Sequence, residues 1–420
     1  MRLLVVSQYF WPENFRVNDL VTEFVARGHE VTVLTGWPNY PAGQVFPEFK
    51  ADPAAFATFS GARVVRVPVL PRGQGGLRLA LNYLSFALSG MLAGAWKLRG
   101  QAFDAIFVFE PSPVTVGLPA IVQRWLKKAP LAFWVLDLWP ETLEAIGVVR
   151  SKKVLGLIGK GVSFIYRRCD LMLAQSRSFM PQIGRYAGAT EVRYFPSWAE
   201  AVHEAGQAPP APEVQAAPGA FTIVFTGNIG DAQDFPTVLD AAERVKASAP
   251  QVRWIIVGDG RMAAWVRDEV LRRGLQEQVL LPGRFGVERM PSFYRHADAL
   301  LVSLKPEPIF AMTIPGKLQS YLAAGLPILA MLDGEGASVV RDAGAGLASA
   351  AGDAPALAEA VLRLAAMAPA ERAAMGQRGR RLGATEFDRV RQIDKLEAWL
   401  AELAAAARQG HPGRVKAPRP

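Results

Sequence analysis

The chain has 420 residues, half of them apolar and 20% charged. At roughly 150 residues per domain this means two or three buried cores, which excludes a single small module and a disordered chain. One cysteine, Cys169, and four histidines (His29, His203, His296, His411) that never fall at ligand spacing argue against an internal disulfide and a Cys/His zinc site. The net charge of +9 is uneven: residues 1–199 hold 22 Lys/Arg against 13 Asp/Glu, residues 200–407 hold 21 against 25, and residues 408–420 hold four against none. Basic residues of the first half are interleaved with long apolar stretches rather than with polar and stacking residues, which argues against nucleic acid and for an anionic membrane surface.

In chain order, the apolar run 3–6 reaches Ser7-Gln8 too soon for a signal peptide, so a cytoplasmic chain is expected. Short apolar runs at 3–7, 31–35, 63–67, 105–109 and 131–137 read as strands, and 19–27 as an amphipathic helix stopped by Gly28. Residues 79–96 carry no charge and are flanked by Arg78, Lys97 and Arg99. Three readings stay open for them: a helix lying on a membrane, a core helix, or a span. The span fits worst, because strand-like runs lie on both sides and one sheet cannot straddle a bilayer.

Residues 200–219 are Pro/Ala-rich without a regular apolar period, the composition of a linker. The alternation then repeats, with strands expected at 221–226, 252–257, 279–281, 299–304 and 327–331. Residues 386–407 read as a terminal helix that packs back toward the first domain, and 408–420 as a disordered basic tail. The fold class is therefore α/β, two doubly wound, Rossmann-like domains (1–199 and 220–385) facing a cleft.

Ligands of such sheets bind beyond the carboxyl ends of the strands. After 221–226 come Gly227, Asn228, Gly230 and Gln233, then a helix with Pro236 in its first turn, an arrangement suited to a phosphate. Gly258-Asp259-Gly260-Arg261-Met262-Ala263 imitates a dinucleotide fingerprint but lacks the acidic residue expected about 20 positions on. The most specific segment is Thr313-Ile314-Pro315-Gly316-Lys317, which puts Lys317 at a helix N-terminus, where a side-chain cation and the helix dipole converge on an anion. Asp137 and Glu110, at the ends of first-domain strands, are candidate catalytic carboxylates, though a helix cap or a salt bridge would also account for them.

The opening Val5-Val6-Ser7-Gln8-Tyr9-Phe10-Trp11-Pro12-Glu13-Asn14-Phe15-Arg16, the segment Gly36-Trp37-Pro38-Asn39-Tyr40-Pro41 and the Pro315-Gly316-Lys317 segment resemble the retaining GT-B nucleotide-sugar glycosyltransferases of family four. The branch they are similar to serves colanic acid and O-antigen assembly and includes N-acetyl-L-fucosamine transferases. The resemblance implies a donor side formed by Gly227, Asn228, Gln233, Gly258, Thr313, Lys317 and Ser320, with uracil read near Arg284 and Phe285. It implies an acceptor side that includes Glu13, Asn14 and Arg16. Asn228 and Gln233 stand where the family has an Arg and a Lys. Met312 and Ser320 stand where it has its E-x7-E glutamates, and Leu136 where it has a His before Asp137.

Such enzymes are thought to let the departing diphosphate take the acceptor's proton, so stabilisation of the leaving group dominates. No D-x-D sequence occurs, in keeping with a metal-free mechanism and no cofactor beyond the nucleotide-sugar substrate. The expected partners are a UDP-linked sugar, a lipid-diphosphate-linked glycan and the inner face of the cytoplasmic membrane. A nucleotide-sugar 2-epimerase of the same fold and a non-catalytic sugar-nucleotide-binding protein are the alternatives.

Overall fold

The computed structural model describes residues 1–41, 43–73, 76–145, 147–199 and 208–410. By internal contacts the chain divides into two units, residues 1–195 with the segment from 393 onward, and residues 196–392.

In the first unit the strands are β1 (Arg2–Val6), β2 (Glu30–Gly36), β3 (Thr58–Phe59), β4 (Ala62–Val67), β5 (Ala105–Glu110), β6 (Leu131–Val135), β7 (Leu171–Ala174) and β8 (Glu191–Tyr194). Their order is β3-β4-β2-β1-β5-β6-β7-β8, and every pairing is parallel except the short antiparallel β3–β4. β5, β6 and β7 are buried at every residue. A sheet covered on both faces needs such unbroken apolar runs rather than alternation. The order reverses between β1 and β5, so the ligand crevice of this sheet lies at the ends of those two strands.

Residues 79–96 lie inside the helix Gly76–Lys97, the one helix among the described residues long and apolar enough to cross a membrane. One face of it is built into the first unit. Asn82, 0% exposed, accepts from Gln8 Nε2 at 2.7 Å and donates to the Leu70 carbonyl at 2.6 Å. Gly94 abuts Leu34, and Gly90 abuts Pro119 of the helix Gly117–Lys127 so closely that an added β-carbon would lie 2.9 Å away. The other face leaves Leu77, Leu81, Leu84, Leu88, Leu92 and Trp96 between 44% and 76% exposed. Their spacing of three or four residues draws one continuous apolar stripe.

The second unit holds β9 (Phe221–Asn228), β10 (Val252–Asp259), β11 (Val279–Gly283), β12 (Ala299–Ser303), β13 (Ile328–Met331) and β14 (Gly346–Ser349) in the all-parallel order β11-β10-β9-β12-β13-β14. Its switch point is between β9 and β12.

Several boundaries differ from the sequence reading. β6 ends at Val135, so Asp137 belongs to the loop after it, whereas Glu110 is the last residue of β5. Gly227 and Asn228 close β9 instead of following it, because β10 runs equally far and pairs with them as Gly227↔Gly258 and Asn228↔Asp259. The expected linker is not wholly outside the domains: Ala211 and Val214 are buried in the second unit's core, and Glu213 pairs with Arg289 at 2.9 Å. Residues 200–207 lie outside the described residues, as does the tail from 411.

The terminal helix is Arg389–Arg408, separated from Pro369–Glu386 by a break at Phe387-Asp388, where Phe387 turns into the core. From Ile393 onward it belongs to the first unit. Its Asp394 and Glu397 bind Arg27 at 2.6 and 2.8 Å, and Glu402 binds Arg193 at 3.0 Å.

Candidate functional site

In the second unit the chain rises through β9 to the switch point, and the helix Gly316–Ala324 begins beside it. Lys317 is the second residue of that helix. Its ammonium lies 3.7 Å from the centre of the Phe225 ring and against Gly227, buried, with no hydrogen-bond partner among the described residues. Burial lowers its pKa from the usual lysine value to about 7. A buried charge normally recruits a counter-ion or gives up its proton. Here the described residues supply only a ring face, which attracts the cation through its quadrupole.

Gly258 has a steric role: a β-carbon there would lie 1.8 Å from the Gly227 carbonyl oxygen. This close crossing of β9 and β10 accounts for the glycines that imitate a dinucleotide fingerprint. Asn228, exposed at the end of β9, sits among the glycine turns at 230 and 260. Gln233 turns back on its own loop, its Oε1 accepting from the Gly230 amide at 3.1 Å. The Thr313 hydroxyl donates to the Ile309 carbonyl at 2.8 Å and is spent on the helix before it. Ser320 lies half-buried one turn beyond Lys317. Arg284 is exposed in the loop after β11, and the Phe285 ring packs on Phe293 at 4.9 Å with Arg289 over it. The sequence reading missed the hydroxyl cluster under the end of β9, where the Thr226 amide donates to the Tyr321 hydroxyl at 2.9 Å and Thr226 Oγ1 meets Tyr294 at 3.1 Å.

In the first unit a cavity of about 270 Å³ opens at the ends of β1, β5 and β6. Tyr9, Phe15, Tyr40, Tyr83 and Trp139 wall it, and Arg72 and Asp137 are its charged groups. Asp137 accepts from the Thr142 hydroxyl, and burial lifts its pKa to about 6 against that hydrogen bond.

Glu110 stands behind it, 0% exposed, with Oε2 accepting from the Asp137 amide at 3.4 Å and Oε1 without a partner among the described residues. Burial first, and Asp137 second, push its carboxyl well above the usual range. Fully buried and outside the cavity's lining, it is placed to support the Asp137 loop rather than to face a substrate. The expectation of a catalytic role for Glu110 gives way to one of holding Asp137.

Glu13 is also corrected. It is buried, and its two oxygens accept from the backbone amides of Phe10 at 3.1 Å, Asn39 at 2.7 Å and Tyr40 at 2.7 Å. It shapes the loops that carry Tyr9 and Tyr40, and its oxygens are occupied. Asn14 is exposed. Arg16 opens the helix Arg16–Ala26, half-buried, its pKa lowered to about 10 by burial. Asn39, Tyr40 and Arg72 were missed as site residues, although the Trp37-Pro38-Asn39-Tyr40-Pro41 run was the available signal. Asn39 Oδ1 accepts from the Arg72 amide at 2.9 Å, and Arg72 lies over the Tyr40 ring at 5.4 Å.

Two doubly wound units, one with a buried lysine ammonium at its switch point and one with a carboxylate-bearing aromatic cavity, make the two-domain architecture of a GT-B transferase. Residues 14–198 match the glycosyl transferase 4-like domain and residues 220–367 the glycosyl transferases group 1 domain, and the chain belongs to the family-four glycosyltransferases of GT-B type.

Over 349 residues it is 28% identical to the colanic acid biosynthesis glycosyl transferase WcaI of Escherichia coli (strain K12), across 77% of this chain and 82% of that one. Its fold is similar to that of Anabaena Alr3699/HepE, solved with UDP and glucose (TM-score 0.65, 15% identity, 96% of this chain and 99% of that one). It is also similar to the alpha,alpha-trehalose 6-phosphate synthase of Burkholderia multivorans (TM-score 0.71, 15% identity, 97% and 99%).

Proposed function

We propose that the chain moves a sugar, N-acetyl-L-fucosamine or a related hexose, from a UDP-linked donor to a lipid-diphosphate-linked glycan in surface polysaccharide assembly of the O-antigen or colanic acid kind. The reaction retains anomeric configuration and needs no metal. One observation carries this reading: the buried, unpartnered Lys317 ammonium at the second unit's switch point, beside the first amides of a helix. A diphosphate is the ligand that fits such a field, since it supplies the missing counter-charge and stays on the enzyme as the leaving group. The solved relative that holds UDP and glucose supports the choice of nucleotide. Asp137, at the wall of the aromatic cavity, orients the acceptor hydroxyl and accepts its hydrogen bond, while Tyr9, Tyr40 and Trp139 offer ring faces to a sugar. The proton passes to the departing diphosphate.

The acceptor's lipid explains the apolar stripe of the Gly76–Lys97 helix, an exposed surface that costs a soluble protein solubility and serves one that lies on a bilayer. On this reading the protein works at the inner face of the cytoplasmic membrane as a peripheral protein. The deciding experiment measures UDP release with and without a polyprenyl-diphosphate-linked sugar. Acceptor-dependent release supports transfer. Conversion of the donor without an acceptor would mean an epimerase, and binding without turnover a non-catalytic partner.

A further inference from the structure

A second concave surface lies at the far end of the Gly76–Lys97 helix, formed by that helix, the loop after it and β4. It is a groove of about 760 Å³. Arg63, Lys97 and Arg99 line it with Trp96 and Gln101, and no acidic residue is among its lining. None of the three cations has an ion-pair partner among the described residues. Lys97 Nζ donates to the Arg66 carbonyl at 2.8 Å, and Arg99 donates to the Trp96 carbonyl at 3.0 Å while lying 4.2 Å over the Trp96 ring. Arg66 in the wall is buried and bonded to the Gly36 and Trp11 carbonyls, so its charge stays inside the unit and the surface charge belongs to the other three.

Complementing the helix C-terminus would explain Lys97 and Arg99. It does not explain Arg63, which comes from β4 and faces the same groove. Three uncompensated cations around one concavity repel one another, and an anion seated there removes that cost.

We propose that this groove binds the phosphate of an anionic glycerophospholipid headgroup that is not the substrate. The inference rests on the membrane-bound reading above. Trp96 is both a wall of the groove and the last member of the apolar stripe, so a bilayer that receives Leu77, Leu81, Leu84, Leu88 and Leu92 brings its headgroups to the groove's mouth. An amphipathic indole at that level is the usual marker of the interface, and basic pockets beside apolar helices take anionic headgroups. The aromatic cavity touches the same helix near its start, through Leu79 and Tyr83. With about 1.5 Å of rise per residue, Leu79 and Trp96 are roughly 25 Å apart, too far for one headgroup to occupy both. The groove thus grips the helix at its distal end and keeps it flat on the surface while the cavity end stays free for the acceptor.

The test uses the full chain on phosphatidylcholine vesicles with and without phosphatidylglycerol. The variants are Arg63→Ala with Arg99→Ala, the same pair as Gln, and a control that removes equal charge from the second unit, Arg267→Ala with Arg341→Ala. With each headgroup-facing cation worth about 1 kcal/mol, the groove variants should bind phosphatidylglycerol vesicles about tenfold or more weakly, with unchanged melting temperature and unchanged binding to phosphatidylcholine.

Undiminished binding by the groove variants would overturn the proposal, as would an equal loss in the control, which would show a net-charge effect. Inorganic phosphate that quenches Trp96 and releases the protein at an ionic strength where chloride does not would identify a soluble-phosphate site instead. Transfer to a short-chain soluble acceptor is measured in parallel. Its absence in the unmodified chain would sink the functional reading and leave the vesicle result standing.

Discussion

The Lys317 ammonium rests 3.7 Å from the centre of the Phe225 ring with no hydrogen-bond partner among the described residues. A bound anion would give this nitrogen the partner that the described residues do not. Removing it should cost on the order of 2 to 4 kcal/mol of transition-state stabilisation. Lys317→Ala should therefore lower kcat at least about thirtyfold with the melting temperature preserved. Retention of more than about a third of kcat, an effect near 0.6 kcal/mol, would show that Lys317 does not face the leaving group.

The same lysine links donor binding to pH. Its pKa falls to about 7 in the folded protein from 10.5, so between these values the unfolded chain binds the extra proton and stability rises with pH. An anionic donor favours the charged lysine and should draw a proton in over that window. Calorimetry of UDP binding at pH 8, in buffers of different ionisation enthalpy, should show uptake that vanishes in Lys317→Met. The Met variant should also melt higher than the unmodified protein near neutral pH, because it removes an uncompensated buried charge.

Asp137 and Glu110 should behave as opposites. With the Asp137 pKa raised to about 6, kcat/KM should fall as pH drops through that value, because the carboxylate is lost. Asp137→Asn should lose about 100-fold or more, within the range attributed to a positioned acid–base group. Glu110→Gln keeps a side chain of the same shape against the Asp137 amide and removes the titrating carboxyl coupled to Asp137. It should leave kcat within about threefold, less than one kcal/mol, while shifting the acid limb of the profile. A large loss of kcat with an unmoved limb would restore Glu110 to the chemistry.

Glu13→Ala leaves three backbone amides without their acceptor. At about 1 to 3 kcal/mol for each unsatisfied buried group, thermal denaturation should show one of the larger losses available from a single side chain in the first unit. A change of melting temperature within error would mean that the loops close without it.

Leu81→Ser, Leu84→Ser and Leu88→Ser together interrupt the apolar stripe without touching the buried face that holds Asn82. The triple variant should leave vesicles in a flotation assay yet keep its melting temperature and its turnover of a soluble acceptor. Unchanged flotation would move the membrane contact elsewhere.

Much of the architecture is local in origin. Apolar runs such as Ala105-Ile106-Phe107-Val108-Phe109 are short and rich in β-branched and aromatic residues, as strands buried on both faces are, and Gly28 and Gly325 can stop helices because left-handed backbone is open to glycine. The parallel α/β class, the two domains and the placing of Lys317 at a helix start follow from that periodicity and punctuation. Burial and partnership do not, since they depend on which strand ends the sheet order brings together. Glu13 and Arg16, three residues apart, look like one polar loop in the sequence. Folding hides the first among the amides of Asn39 and Tyr40, which β2 delivers beside β1. Glu110 and Asp137 look equivalent at two strand ends, but one is sealed behind the other because β5 and β6 are neighbours and β6 stops short at Val135. Arg63, Lys97 and Arg99 read as scattered positive charge. The return of the Gly76–Lys97 helix along β4 is what gathers them around one groove. The sequence by itself determined the elements and the class of chemistry, because these rest on local pattern and composition. Only the tertiary structure decided which side chains remain available to a ligand, because burial and unmet hydrogen bonds are properties of groups brought together from distant parts of the chain.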